Sequence, residues 1–179
     1  RRTQAPARDR RALARVDQDS VEKIRQLCRR WVLERLVGTG FSRLTLDFDG
    51  VVFSTQGRGR EGTAVGFNRK KKGARSYYPL FCTVAQTGQV LDFLHRAGNV
   101  HDSHGAREFI LDCLQEVRAR LPGIVIEIRM DSAFFSDEIV MALDEEGIEF
   151  TVSVPFERFV ELKGKIERWR RWESLSSDV

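Results

Sequence analysis

Leu44-Thr-Leu-Asp-Phe-Asp-Gly-Val-Val-Phe-Ser54 is the stretch that decides the fold of this chain. It is rich in apolar, aromatic and β-branched residues, a composition typical of a strand. Side chains alternate along a strand, so Asp47 and Asp49 are predicted to lie on the same face of the sheet. A carboxylate within an apolar strand is costly unless it is paired or binds a metal. The stretch therefore predicts a core strand whose acids have a binding role.

A second stretch, Ile124-Val-Ile-Glu-Ile-Arg-Met-Asp131, has the same character. It is an apolar strand that ends in an Asp and is followed by two small residues, Ser132 and Ala133. Two strands that each deliver an Asp are a common framework for a divalent-cation site. The alternative interpretation is that these Asp residues cap strand ends or form salt bridges.

The composition is that of an ordinary globular domain. The chain has 179 residues, of which 41% are hydrophobic and 31% charged, which is enough for one domain with a core. No apolar run approaches the length of a membrane span, and the Arg-rich start lacks the apolar segment of a signal peptide. Cys28, Cys82 and Cys113 are few, odd in number and not at zinc-ligand spacing, which indicates reduced thiols in the cytoplasm.

Positive charge is concentrated in two segments. Residues 1–15 contain six Arg and one Asp. The second segment has one acid, Glu61, among seven basic residues: Arg58, Arg60, Arg69, Lys70, Lys71, Lys72 and Arg75. Clusters of this kind can steer a polyanion onto a protein. The alternative interpretation is a solvated loop and a tail without a partner.

Hydrophobic periodicity and capping signals place the elements of the N-terminal half. A first helix is predicted to begin at Asp19 or Ser20 and to end at Gly38–Gly40. Its buried face should contain Val21, Ile24, Leu27, Cys28, Trp31 and Leu36. Strands are predicted over 42–54, within 63–86 and over 89–94, with a Thr87-Gly88 turn joining the last two as a hairpin.

The C-terminal half alternates helices and strands. Ser103 is predicted to cap a helix whose buried face is Ala106, Phe109, Ile110, Cys113, Leu114, Val117 and Leu121. A strand at 124–131 follows, then a helix between Ser136 and Gly147, a strand at 148–154 and an amphipathic helix over 156–172. The helical spacing of Trp31, Trp169 and Trp172 with other apolar residues predicts core or interface positions.

The resulting order, β-β-β-α-β-α-β-α, is that of the ribonuclease H-like α/β fold, with a mixed five-stranded sheet and here an N-terminal helix. In that fold the first strand lies beside the fourth. Asp49 and Asp131 are therefore predicted to meet at one edge of the sheet. Paired carboxylates suit Mg²⁺ or Mn²⁺, hard ions that prefer oxygen ligands. Candidates for a third carboxylate are Glu157, Glu161 and Glu167, on the helix after the fifth strand.

The chain resembles the insertion-sequence DDE transposases that carry a β-rich insertion within a ribonuclease H-like domain. The resemblance rests on Leu46-Asp-Phe-Asp-Gly50, Tyr77-Tyr-Pro-Leu80 and Arg129-Met-Asp-Ser-Ala-Phe134. The last stretch is similar to the family's R-A-D-S-G-F motif, with departures at Met130 and Ala133. Similarity extends over about residues 42–160. The first and second catalytic, metal-binding Asp of the family match Asp49 and Asp131.

The resemblance implies Mg²⁺- or Mn²⁺-dependent phosphodiester hydrolysis and strand transfer at transposon ends. It implies a homodimer that acts on transposon-end and target DNA, in the bacterial cytoplasm and on the nucleoid, with no membrane partner. It also predicts a basic, disordered tail over 1–18, an incomplete catalytic core over 19–155 and a helix over 156–179 that leads to the insertion domain. The family's catalytic Glu would then lie beyond Val179, so this chain should be inactive alone.

Two other function classes are open at this stage. Leu46-Asp-Phe-Asp-Gly-Val-Val52 also resembles the first motif of haloacid-dehalogenase-type phosphatases, with Asp47 as nucleophile, Asp49 as acid/base and Asp131 with Asp137 near the metal. The predicted strands after Gly50, and the lack of a convincing Ser/Thr motif and of a suitably placed Lys, count against it. The second class is a DNA-binding derivative of a transposase that has lost catalysis.

Overall fold

The structure is a computed structural model, and the residues that it describes are 17–56, 59–66, 68, 70–101 and 103–171. Residues 1–16 of the tail predicted over 1–18, residues 172–179 of the helix predicted over 156–179 (Trp172 among them), Arg58 and Arg69 lie outside them. Numbered in chain order, the elements are α1 (Gln18–Val37), β1 (Arg43–Gly50), β2 (Phe53–Ser54), β3 (Ala64–Val65), β4 (Arg75–Tyr77), β5 (Leu80–Val84), β6 (Gln89–Leu94), α2 (Ala106–Arg120), β7 (Val125–Met130), α3 (Asp137–Glu145), β8 (Glu149–Val152) and α4 (Val160–Arg168).

The main sheet has five strands in the order β6-β5-β1-β7-β8. β1, β5 and β6 form an antiparallel meander, and β7 and β8 are added in parallel on the other side of β1. The Thr87-Gly88 turn closes the β5–β6 hairpin, with Gly88 at φ 67°. This arrangement confirms the predicted ribonuclease H-like sheet, in which the first strand is central and adjacent to the strand that follows the α2 helix.

The predicted strand over 42–54 is divided between two sheets. β1 ends at Gly50, which is paired with Leu80, and the next partner, Pro79, has no N–H to extend the ladder. Val51 still donates its N–H to the Pro79 carbonyl at 3.0 Å. The chain then enters a small three-stranded sheet with the order β2-β4-β3. The predicted extended region over 63–86 accordingly becomes three short strands instead of one.

The small sheet is held against the segment that follows β6. Gly98 donates its N–H to the Ser76 carbonyl at 2.9 Å, and Tyr78 donates to the Arg96 carbonyl at 2.8 Å. A Cβ on Gly66 would overlap with the Gly98 carbonyl, so the two segments approach too closely for any side chain there. The small sheet is thereby fixed beyond the carboxyl end of β1.

Three helices, α1, α2 and α3, cover one face of the main sheet. Leu44, Leu46 and Phe48 alternate along β1 toward this face and are buried, and Phe48 meets Phe109 of α2 edge-to-face at 5.8 Å between ring centroids. The predicted face of α2 is confirmed, because Ala106, Phe109, Ile110, Cys113, Leu114 and Val117 are all buried. Burial of such a side chain stabilises the fold by about 1.5–3 kcal/mol. Of the described helices, none has the length and apolar character to cross a membrane.

Two helix starts differ from the prediction. α1 begins at Gln18, because the carboxylate of Asp17 accepts the N–H of Ser20 at 2.8 Å and so caps the helix before Asp19. α2 begins at Ala106 after Gly105 in a left-handed conformation (φ 70°). Ser103 does not cap α2, since its hydroxyl contacts the His101 Nδ1 at 3.0 Å.

The ends of the C-terminal helices are closer to expectation. The Ser136 hydroxyl accepts the Ile139 N–H at 3.4 Å at the start of α3, as predicted. Gly147 follows this helix at φ 62°, where glycine is favoured. α4 is shorter than predicted, because a turn over 156–158, closed by Arg158 N–H to Pro155 carbonyl at 2.8 Å, precedes Val160.

The buried face of α1 is the predicted one only in part, because Leu36 is buried as expected and Leu27 is half-buried, but the other predicted residues are not. Val21, Ile24, Cys28 and Trp31 are exposed, whereas Arg29, Leu33 and Leu36 are buried. The helix is rotated because Arg25 and Arg29 both bind Asp92 of β6, whose side chain is 0% exposed. Trp169 is also exposed, so a core position is wrong for both described tryptophans.

Candidate active site

The β1–β7 register brings the two predicted catalytic residues to the same edge. These strands are parallel, and the last recorded pair is Phe48 with Met130. Asp49 is the next residue of β1, and Asp131 is the residue that directly follows β7. Carboxyl ends of neighbouring parallel strands open on the same side of a sheet, which is where α/β folds bind ligands. Both Asp residues are exposed there.

A salt bridge shows which face of the sheet these side chains occupy. Arg129 donates from Nε and Nη2 to the two carboxylate oxygens of Asp47, at 2.7 and 2.9 Å. Hydrogen bonds and attraction to Asp47 raise the pKa of Arg129. Residues two apart on a strand share a face, so Asp49 and Asp131 lie on the same face as this pair, opposite the helices. As predicted from alternation, Asp47 and Asp49 share a face.

Asp131 has a local partner as well as its place in the sheet. It stands in extended conformation, with φ −82° and ψ 179°, before a short 3-10 helix, Ser132–Phe134. Its Oδ1 accepts the N–H of Ala133 at 2.9 Å. The strand-end capping considered from the sequence therefore occurs at Asp131. The hydrogen bond uses one carboxylate oxygen and orients the side chain.

The donor set fits a hard divalent cation in part. Asp49 and Asp131 supply the oxygen donors that Mg²⁺ and Mn²⁺ prefer, at an exposed edge where the ion would keep several waters. Across residues 17–171, within the described ranges, no three His, Cys, Asp or Glu are grouped so as to hold a metal. Within the described ranges, Asp49 and Asp131 are therefore a two-carboxylate arrangement without a third ligand.

The candidate third ligands lie on a separate segment. Glu157 is in the turn before α4 and not on a helix, whereas Glu161 and Glu167 are on α4. Phe159 packs edge-to-face on Phe135 at 5.1 Å, which holds this turn against the loop between β7 and α3. None of the three Glu completes a metal-binding group with Asp49 and Asp131.

The family model for the transposase DDE domain, group 1, matches residues 7–171 of the chain. The chain belongs to this family. The match extends over most of the chain and includes both β1 and β7.

Three of the solved structures to which the chain is similar are transposases. A piggyBac transposase synaptic complex with hairpin DNA is 17% identical, with a TM-score of 0.45 over 71% of this chain and 26% of that chain. The catalytic domain of Mos1 mariner transposase is 10% identical, with a TM-score of 0.44 over 89% and 76%. A Mos1 paired-end complex is 11% identical, with a TM-score of 0.43 over 89% and 52%. No curated protein matches the chain.

The transposase domain thus spans about a quarter of the piggyBac chain and half of the Mos1 chain in these complexes. Family membership disfavours the phosphatase interpretation. Local geometry agrees, because the proposed phosphatase nucleophile, Asp47, is held in a fork by Arg129. After Gly50 the chain enters the small sheet.

The basic residues between Arg58 and Arg75 differ in their exposure to solvent. Arg60, Lys70, Lys71 and Lys72 are exposed. Arg75 is half-buried, and its guanidinium donates to the Thr63 hydroxyl at 2.9 Å and to the Thr63 carbonyl. Arg75 therefore has a structural role between β3 and β4, which the sequence did not indicate.

Asn68 is a residue that the sequence analysis missed. It is buried, donates from Nδ2 to the Ser54 hydroxyl at 2.7 Å, and accepts the Lys71 N–H on Oδ1 at 3.0 Å. The lysine loop, defined as Lys70–Lys72, is thereby attached to β2, the strand that follows Asp49. An Asn shortly before Gly73 in a polar stretch is a turn signal that could have indicated this role.

Proposed function

We propose that this transposase domain takes part in metal-dependent hydrolysis and strand transfer at DNA phosphodiesters, with Asp49 and Asp131 as its metal ligands. The observation that carries the proposal is the position of both residues immediately after the Phe48–Met130 pair of parallel strands. The family of the chain supports the reaction class. The substrates would be transposon ends and target DNA, bound by a homodimer on the bacterial nucleoid.

Each residue at the edge has a distinct task in this proposal. Asp49 and Asp131 would hold a Mg²⁺ or Mn²⁺ ion, and Ala133 keeps the Asp131 carboxylate oriented through its N–H. Arg129 neutralises Asp47, which lowers the negative charge that an incoming phosphate would meet. When bound, such an ion lowers the pKa of an attacking water or hydroxyl and stabilises the oxygen that leaves.

We propose further that the third carboxylate lies outside the described residues. Asp49 and Asp131 have no third acid grouped with them there, and the family resemblance puts the catalytic Glu after an inserted domain. The division into a tail over 1–18, a core over 19–155 and a helix over 156–179 stays a prediction. Its first boundary is close to the start of α1 at Gln18.

A calorimetric titration with Mn²⁺ tests the metal site. Replacing Asp49 or Asp131 by Asn should weaken Mn²⁺ binding by at least about tenfold, because each removes one of two charged ligands. Asp47→Asn is the matched control, since Asp47 lies on the same strand and face but is bound by Arg129. It should change Mn²⁺ affinity by less than about threefold. Equal affinity in all four proteins would contradict the site.

The salt dependence of DNA binding tests the proposed nucleic-acid contact. Each neutralised phosphate contributes about −0.9 to the slope of log K against log salt, so replacing Lys70, Lys71 and Lys72 by Ala should flatten the slope by about 2–3. A control triple variant, Lys23, Lys163 and Lys165 to Ala, removes the same charge from α1 and α4. Equal slopes in the two variants would show that the lysine loop has no special role. Arg58, Arg60, Arg69 and Arg75 stay predicted contacts.

A further inference from the structure

On the face of the main sheet that carries Asp49, the neighbouring residues on the next two strands are aromatic. Asp49 on β1 is paired with Phe81 on β5, and Phe81 is paired with Phe93 on β6. Cross-strand partners share a face of the sheet. The side chains of Asp49, Phe81 and Phe93 therefore follow one another across three strands, on the face opposite the helices, and Asp131 follows the end of β7 beside β1.

The aromatic side chains form a continuous strip. Phe81 and Phe93 have ring centroids 6.0 Å apart with an interplanar angle of 33°. Phe53, at the start of the small sheet, meets Phe81 at 6.2 Å and 67°. Phe53 is 49% and Phe93 36% exposed, and Phe81 is half-buried. Phe53, Phe81 and Phe93 together form the aromatic row.

The surroundings of the aromatic row favour a nucleic-acid ligand. Ser54, the neighbour of Phe53, binds Asn68, and Asn68 in turn binds the backbone of the lysine loop. The backbone of the lysine loop is thus attached to the same two-residue strand that carries the exposed ring of Phe53. Single-stranded nucleic-acid sites combine these features, because lysines contact the phosphates while the rings stack on the bases. A protein-docking surface would not need a basic loop beside it.

We propose that the aromatic row is a stacking platform for unpaired bases of the DNA strand whose phosphate is held at Asp49 and Asp131. The proposal rests on the proposed function, since it takes the reacting strand to lie at these carboxylates. A phosphodiester at this edge would have its neighbouring nucleotides next to Phe81 and Phe93. Bases that are unstacked from a duplex end would find aromatic faces there in place of their lost neighbours.

A fluorescence titration with an oligonucleotide that contains 2-aminopurine tests the platform, because stacking quenches this base. The titration is done in EDTA, so it does not depend on the metal site. Phe93→Ala should weaken binding of the single strand about 5- to 100-fold and remove most of the quenching. The slope against log salt should not change, since no phosphate contact is lost. Phe93→Tyr should restore both binding and quenching.

Val90→Ala is the matched control, because Val90 is an exposed apolar residue of the same strand, paired with Thr83. It should bind like the unchanged protein. If Phe93→Ala and Val90→Ala bind and quench equally, the platform is wrong. Loss of a dimer in sedimentation with unaltered DNA binding would likewise overturn it, in favour of a second copy of the chain. The Mn²⁺ titration of the Asp49 and Asp131 variants separates the two hypotheses. Normal Mn²⁺ results with no effect of Phe93→Ala would contradict the platform alone, whereas equal Mn²⁺ affinity in all variants would contradict the proposed function.

Discussion

At the scale of single residues, four Asp side chains illustrate how place decides role. Asp47 is bound by Arg129, whereas Asp49 and Asp131 lie at the edge of the sheet. Asp92 is buried and binds both Arg25 and Arg29, and Arg29 also contacts Glu116 at 2.9 Å. Burial lowers the pKa of Arg25, but the hydrogen bonds and charge of Asp92 outweigh it, so the pKa is raised.

Replacing Asp92 by Asn should strongly destabilise the fold. The change leaves two arginines close together without their shared counter-charge, and removing one partner of a buried ion pair costs about 3–5 kcal/mol. Asp19→Asn is the control, because the Asp19–Lys23 pair is exposed and should contribute less than about 1 kcal/mol. Urea denaturation measures both changes. A similar loss in the two variants would show that Asp92 does not organise α1.

At the scale of elements, packing decides which face of α1 is buried, and the Asp17 cap decides where the helix begins. The helix turns Leu33 and Leu36 into the core and leaves Trp31 56% exposed. Leu33→Ala should therefore destabilise the fold by about 2–5 kcal/mol, and Trp31→Ala by less than about 1 kcal/mol. The free energy of unfolding in urea of the two variants and of the unchanged protein measures both effects. A larger loss for Trp31→Ala would restore the face predicted from periodicity.

The cap of α1 gives a pH-dependent prediction. Hydrogen bonds from the Ser20 side chain and backbone lower the pKa of Asp17 below its ordinary value of 3.8. A lowered pKa means that Asp17 stabilises the fold above the unfolded pKa, and that this contribution is lost as pH falls through the folded pKa. The difference in urea midpoint between the unchanged protein and Asp17→Ala should be largest above about pH 5. It should shrink on acidification, and the difference between the unchanged protein and Asp17→Asn should shrink likewise, because neither Ala nor Asn titrates. The difference between the two variants should stay nearly constant.

At the scale of the whole molecule, the main sheet places the aromatic row beside Asp49, and the lysine loop is attached to β2, the strand that follows Asp49. Two carboxylates can hold one ion, but the third ligand positions the second ion in two-metal phosphodiester chemistry. Within the described residues this ligand is not in place. Under the proposed function, the described part of the chain would contact DNA and one metal ion, and the residue that completes the catalytic centre would lie elsewhere.

The 179-residue chain should leave a supercoiled plasmid intact in the presence of Mn²⁺. A version of the same reading frame that includes the family's Glu should nick the plasmid, and Asp49→Ala in that version should abolish nicking. The comparison uses gel electrophoresis of the plasmid. Nicking by this chain that disappears in both Asp49→Ala and Glu157→Gln would show that its site is complete and that Glu157 is the third ligand.

Much of the fold follows from the sequence because its causes are local. Alternation placed Asp47 and Asp49 on one face, periodicity identified the buried residues of α2, and Ser136 marked the start of α3. The order of elements also predicted the strand neighbours β1 and β7, since few topologies accommodate that order. The candidate pair Asp49 and Asp131 came from these signals together with motif resemblance.

Other features were decided only by the tertiary structure. The rotation of α1 depends on Asp92, which is 63 residues from Arg29, and the break after Gly50 depends on Pro79 in the neighbouring strand. Strand register decides that Asp47 is the partner of Arg129. It also decides that Phe81 and Phe93 lie in line with Asp49. The role of Asn68 depends on its approach to Ser54, which is 14 residues away. The hydrophobic pattern decides which face of a strand is buried, but the residue that lies opposite another on β1, β5 or β7 depends on how segments distant in sequence align.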